Sequence, residues 1–197
     1  MTLKSTFSHQ IDVIVVPIGR GLARLGFTPN WMTTFGILLT GVAAGLVATG
    51  RLPAGGWVLV AGGLADTFDG AVARERGMVS RFGAFYDSVA DRISDAVILL
   101  ALAWAVRGDA LLFGLVSVAL ATALLTSYVR AKAESMDADC SVGLLERGER
   151  SILTMIALVI TPSFEVVLWM LAVGGLITVI QRLVHVHRQL APSEVGA

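Results

Sequence analysis

Asp66-Thr67-Phe68-Asp69-Gly70-Ala71-Val72-Ala73-Arg74, a connector of eight residues, then Gly83-Ala84-Phe85-Tyr86-Asp87-Ser88-Val89-Ala90-Asp91: the reading of this chain turns on that stretch. Apolar sequence flanks it, residues 59–65 before and 96–106 after, so four carboxylates stand inside what otherwise reads as membrane-spanning chain. One Asp at the centre of a spanning helix costs roughly 2.5–3.5 kcal/mol, so four facing lipid would cost on the order of 10 kcal/mol. Something must neutralise them, and an intramembrane carboxylate is by default a mark of function.

Spacing indicates how. Asp66 and Asp69 are i, i+3 and Asp87 and Asp91 are i, i+4, so on helices each pair shares a face. If the chain reverses at residues 77–80, with 78.5 as the middle, Asp69 lies 9.5 positions before it and Asp87 8.5 after it, while Asp66 and Asp91 are each 12.5 away. At about 1.5 Å per residue the two pairs match in depth, roughly 13–19 Å from the turn. Convergent carboxylates repel unless cations lie between them, and an oxygen-only donor set selects hard divalent ions, Mg2+ or Mn2+, in a one- or two-metal site.

The pattern Asp-x-x-Asp-Gly-x-x-Ala-Arg, eight residues, Gly-x-x-x-Asp-x-x-x-Asp resembles the full signature of the CDP-alcohol phosphotransferase family, with every fixed position present. The resemblance implies that Asp66, Asp69 and Asp87 bind metal, and that Asp91 is the proton acceptor and shares in ligation. It implies two ions, a CDP-linked lipid or alcohol as donor, and CMP as leaving group. Gly70, Ala73 and Arg74 would line the CDP end. Asp95, one turn beyond Asp91, lies outside the signature and is assigned a solvated or helix-pairing role.

The composition agrees with a membrane protein. Of 197 residues 55% are hydrophobic and 15% charged, and the mean hydropathy is +0.77. Zero net charge leaves no global field for nucleic acid, which is excluded as a partner. The single Cys140 excludes an internal disulfide and reads as inert. The N-terminal segment, with Arg20 and Arg24 in an amphipathic stretch, does not read as a cleaved signal peptide.

The expected fold is a single all-α membrane domain over residues 1–197. An amphipathic interfacial helix covers 7–25, where Ile11, Ile14, Val15, Ile18 and Leu22 recur at helical spacing. Six transmembrane helices fill 31–187: residues 31–49, 56–76, 81–106, 110–133, 144–160 and 164–187. Residues 50–55 are read as a turn and 189–197 as a disordered tail. Of fifteen Lys and Arg only Arg51 and Arg107 fall at the end away from the motif, and thirteen fall at or near the motif end. By the positive-inside rule the acidic site faces the cytoplasm of a bacterial inner membrane.

Arg130, Lys132, Arg147, Arg150 and Arg182 all fall at that inner end. Clustered guanidinium groups suit a phosphate on the acceptor, which Arg grips bidentately. Arg147 is assigned instead to anchoring lipid headgroups. Pro17-Ile18-Gly19-Arg20-Gly21-Leu22, Asp91-Arg92-Ile93-Ser94-Asp95, Ser127-Tyr128-Val129-Arg130-Ala131-Lys132-Ala133-Glu134, Glu146-Arg147-Gly148-Glu149-Arg150 and Ile180-Gln181-Arg182-Leu183 together resemble bacterial phosphatidylinositol phosphate synthases over nearly the whole chain. That resemblance implies CDP-diacylglycerol as donor and inositol 1-phosphate as acceptor, held by Arg130, Arg150 and Arg182, and a homodimer among membrane lipids. It also implies that Asn30, Trp31, Met32, Thr33 and Ser80 contact the CDP-lipid. Glycerol 3-phosphate is the competing phosphorylated acceptor. An ion-coupled transporter would share intramembrane acids, but inverted repeats and interrupted helices are not found in the sequence.

Overall fold

The computed structural model describes residues 17–78 and 80–191, and the side chains of residues 69–71 lie outside that description. The described residues are all-helical: α1 (residues 17–24), α2 (Pro29–Ala48), α3 (Leu52–Glu75), α4 (Arg81–Ala105), α5 (Ala110–Glu134), α6 (Arg147–Val159) and α7 (Phe164–Leu190), with a 3-10 turn (Thr161–Ser163) before α7. Residues 7–16 of the expected interfacial helix lie outside the described residues, as do 192–197 of the expected tail. Residues 189 and 190 are helical, so α7 runs past the point where the sequence reading starts the tail.

Local chemistry sets most boundaries. Thr28 is extended (φ −104°, ψ 156°), its hydroxyl accepts from the Trp31 amide, and Pro29 follows where a missing N–H costs nothing. Ser80 caps α4 by accepting from the Gly83 amide at 3.0 Å, and Asp109 caps α5 by accepting from Leu111 and Leu112 at 2.9 and 3.1 Å. Between α2 and α3 the chain reverses at Gly50, whose φ is +81°.

The expected turn over residues 50–55 is thereby shortened. Pro53 sits in the first turn of α3, and Gly55 and Gly56 are helical. They serve close packing instead. A Cβ on Gly56 would lie 2.8 Å from Val159 Cγ2 and 3.1 Å from the Val159 amide nitrogen, so α3 and α6 touch there backbone to backbone.

The helices close into a ring. α2 packs on α3 and α4, α3 on α6, α6 on α7, α7 on α5, and α5 on α4. Consecutive helices α3 and α4, joined by residues 76–80, make few close backbone contacts with each other among the described residues. The main core lies in the half of the ring away from that joint, around Val47, Leu102, Val116, Leu158 and Leu168, all fully buried. The half near the joint is left looser, and that is where the carboxylates point.

Among the described residues, three helical stretches are long and apolar enough to cross a membrane: Pro29–Ala48, Ala110–Glu134 and Thr161–Leu190. The other three expected spans differ for physical reasons. α3 and α4 carry the acidic motif and its arginines, and α6 has 13 residues, about 20 Å at 1.5 Å per residue against a hydrocarbon core of about 30 Å. Large apolar side chains such as Leu38, Trp57, Trp104, Val166 and Ile180 face outward, as a bundle solvated by lipid requires.

Gly56→Val should lower the thermal unfolding temperature of the detergent-solubilised protein, because overpacking a tight crossing costs about 1–3 kcal/mol. Gly114→Ala, with nothing within 4 Å of an added Cβ, should leave that temperature unchanged or raise it.

Candidate active site

Asp66 lies in the second half of α3, and Asp87 and Asp91 lie in the first half of α4. One carboxylate oxygen from each lies within 4.8 Å of the others. The depth matching expected from the sequence thus brings three of the four aspartates together. The fourth, Asp69, lies outside the described side chains.

The donor set fits a hard divalent ion. Opposite oxygens on an octahedral Mg2+ stand about 4.2 Å apart, so a closure of a few tenths of an ångström suffices. Asp91 is buried at 8% exposure, and its Oδ1 accepts no hydrogen bond among the described residues. A buried carboxylate oxygen with no aligned hydrogen bond calls for a cation beside it.

A cation of the chain stands at this position. Arg147 reaches in from α6, with Nη2 2.5 Å from Asp91 Oδ1 and 3.4 Å from Asp66 Oδ2. The assignment of Arg147 to lipid headgroups is therefore corrected. The sequence did hold a signal: Arg147 is the first residue of α6, where the helix dipole is positive and a guanidinium is disfavoured without a carboxylate opposite. Arg92, on α4 itself, stands 3.8 Å from Asp91 Oδ2 and donates to the Ser88 carbonyl.

One turn further along α6, Arg150 is buried at 7% exposure. Its Nη2 lies 3.3 Å from Asp95 Oδ2, and its Nη1 donates to Thr126 Oγ1 at 3.0 Å and to the Leu145 carbonyl at 3.4 Å. Its Nε has no hydrogen-bond partner among the described residues. Asp95 therefore takes the helix-pairing role. Arg182, exposed by 4%, donates from Nη1 to the Thr126 carbonyl at 2.6 Å and from Nε to the Val142 carbonyl at 2.9 Å. Two guanidinium groups from different helices thus converge on one residue of α5.

Thr126 was not singled out in the sequence. The one signal was a polar side chain at a fully buried position, inside the apolar run of α5. Arg130, expected beside the other two arginines, is half-exposed and paired with Glu134 at 2.8 Å on its own helix.

The loop before α6 is strapped onto α7. Gln181 Oε1 accepts from the Leu144 amide and Thr178 Oγ1 from the Leu145 amide, both at 2.9 Å. Gln189 accepts from the Asp139 amide at 3.0 Å and donates to its carbonyl at 2.7 Å. Cys140 is buried beneath this loop with Ala133 and Ala138, in keeping with its inert reading. These bonds fix where α6 begins, and so where Arg147 and Arg150 stand.

The residues expected near the CDP-lipid divide into groups. Thr33 is buried and lines the cavity described below, whereas Met32 packs with Ala65 and Val72 between α2 and α3. Asn30, Trp31 and Arg74 are exposed, Ala73 is half-buried, and Ser80 spends its oxygen on capping α4. Gly70 lies within α3. Arg76 donates to the Gly26 and Phe27 carbonyls at 2.9 and 2.7 Å, which ties the α3–α4 joint to the start of α2.

A cavity of about 390 Å3 joins these parts. Asp66, Asp91, Asp95, Arg147, Arg150 and Thr33 line its polar side, and its remaining wall runs to Ile98, Leu99 and Leu171 in the apolar interior. Carboxylates with the guanidinium groups of Arg147 and the buried Arg150 beside them suit a ligand that carries both metal-binding phosphate and a second anion.

Comparison with known proteins agrees with this geometry. The chain is 38% identical over 172 residues to the archaetidylinositol phosphate synthase of Methanothermobacter thermautotrophicus, covering 85% of this chain and 87% of that protein. Its fold matches Mycobacterium tuberculosis phosphatidylinositol phosphate synthase solved with CDP-DAG bound, at a TM-score of 0.83 and 35% identity, over 93% of this chain and 98% of the other. The same enzyme in complex with manganese and citrate matches at a TM-score of 0.83 and 34% identity, over 93% of this chain and 92% of the other. Residues 27–181 match the family model for CDP-alcohol phosphatidyltransferase, and with three converging aspartates of its signature in place the chain belongs to that family.

Proposed function

We propose that this protein transfers a phosphatidyl group from CDP-diacylglycerol to a hydroxyl of inositol 1-phosphate, giving phosphatidylinositol phosphate and CMP. The observation that carries this reading is the converging trio Asp66, Asp87 and Asp91 beside a cavity that the buried Arg150 also lines, with Arg182 joined to Arg150 through Thr126. Relatives named for inositol phosphate lipid synthesis, and neighbours solved with CDP-DAG or manganese, support it.

Asp66, Asp69, Asp87 and Asp91 hold Mg2+ or Mn2+, and four carboxylates supply enough oxygens for two ions. When bound, divalent metal neutralises the donor pyrophosphate and stabilises the charge that develops at the attacked phosphorus. Asp91 takes the proton of the acceptor hydroxyl. As that proton leaves, the hydroxyl oxygen forms a bond to the phosphatidyl phosphorus, and the bond from phosphorus to the CMP oxygen breaks. Arg150 and Arg182 bind the acceptor phosphate. Arg130 would have to leave Glu134 to join them.

In the membrane, α2 to α7 make six spans with α1 at the inner boundary, the short α6 being completed by residues 144–146 before it and the 3-10 turn after it, and the arginine-rich joint between α3 and α4 faces the cytoplasm. A homodimer is part of the same reading.

CMP release measured side by side with inositol 1-phosphate, free inositol, glycerol 3-phosphate and serine tests the acceptor. Inositol 1-phosphate should be used and free inositol ignored. Preference for free inositol or serine would overturn the phosphate pocket, and preference for glycerol 3-phosphate would overturn the acceptor alone.

Asp91→Asn should keep CDP-lipid binding and lose turnover. Wild-type turnover in that variant would remove the base assignment.

Arg150→Ala should raise the acceptor KM by roughly ten- to a hundred-and-fifty-fold with the donor KM nearly unchanged, since a charge-assisted contact is worth about 1.5–3 kcal/mol. Thr126→Val should shift the same constant in the same direction by a smaller factor, because it only unfastens Arg150.

A further inference from the structure

The Arg147 contact is close and yet incomplete on both sides. Nη2 stands 2.5 Å from Asp91 Oδ1, but that oxygen makes no directed hydrogen bond, and Arg147 Nε is also buried without a partner among the described residues. A guanidinium that evolved as a permanent partner of a carboxylate is normally bidentate, with its donors satisfied. Here one nitrogen is shared between two carboxylates from different helices, both members of the group whose oxygens converge. That is the place a bound cation would take.

We infer that Arg147 is a displaceable counterion, which neutralises the empty acidic site and is expelled when divalent metal enters. The inference rests on the metal-site reading above. Two reasons make the exchange workable. Arg147 is 40% exposed along its side chain, so it has a path out, whereas Asp91 is fixed within α4. Its backbone is the first residue of α6, free of the helix interior, so the side chain swings without unwinding the helix. Without such a cation, carboxylates from two helices that scarcely touch each other would repel across the gap and spread the ring.

The consequence is competition between a side chain and an ion for the same oxygens. Metal affinity is lowered by the need to displace Arg147, and the empty protein is stabilised by its presence. Reciprocal coupling of this kind typically amounts to 5- to 150-fold in affinity.

Mn2+ binding to the detergent-solubilised protein, without substrate, can be followed by the electron paramagnetic resonance signal of free Mn2+. Arg147→Gln should bind Mn2+ about tenfold or more tightly than wild type, and Arg147→Lys should fall between them. In EDTA, Arg147→Gln should unfold at a lower temperature than wild type, and saturating Mn2+ should erase that difference. If Arg147 only braces the fold, Arg147→Gln would lower the unfolding temperature equally with and without metal and would leave Mn2+ affinity unchanged or weaker. Either result overturns the inference. Absence of Mn2+ binding in wild type, Arg147→Gln and Arg147→Lys alike would overturn the metal-site reading and the inference together, whereas equal affinities would overturn the inference alone.

Discussion

Mutual repulsion of carboxylates in a medium of low dielectric is the constraint on which this structure depends. Charges that would be shielded in water interact several-fold more strongly at the edge of a membrane. The chain answers with cations from α6 and from the acidic helix α4 itself. Arg147 comes from α6 and Arg92 from α4 itself, and Arg150 answers Asp95 one turn deeper. The acidic motif therefore dictates which helices meet. α6, short and amphipathic, lies beside α3 because it brings guanidinium groups to the acids and because Gly56 lets its backbone come close.

The two halves of the ring carry different duties. Away from the motif, aliphatic side chains interlock and the helices are held by dispersion and small-residue contact. Toward the motif, threonines, glycines and arginines replace aliphatic packing and leave room for a ligand. Helix positions in this half are held by directed bonds instead: Thr126 joins α5 to α6 and α7, and Thr178, Gln181 and Gln189 fasten the preceding loop to α7. Stability from one end permits a polar cavity at the other.

What could be read from the sequence was what local periodicity determines. The helical spacings and the equal distance of Asp66 and Asp91 from one turn anticipate the meeting of Asp66, Asp87 and Asp91, whose oxygens lie within 4.8 Å of one another. Gly55 was misread as part of a turn because a glycine near a turn looks the same whether it bends the chain or admits a neighbouring helix. Arg147 and Thr126 escaped for a related reason. Their roles depend on the rotation of α6 and on a loop whose fastening to α7 spans 33 to 50 residues of sequence, and no short pattern encodes that.

The depth of Arg150 and Arg182 bears on how the protein would respond to its ionic surroundings. Both are less than a tenth exposed, and mobile ions screen charges in solution over about 8–10 Å at ordinary salt but do not enter a packed interior. Half-exposed arginines such as Arg130 lose their pull on a distant anion as salt rises. A buried pair keeps it. An anion would be drawn toward the mouth more slowly in concentrated salt yet be held no less firmly once inside, so ionic strength would govern the rate of arrival and leave selectivity untouched.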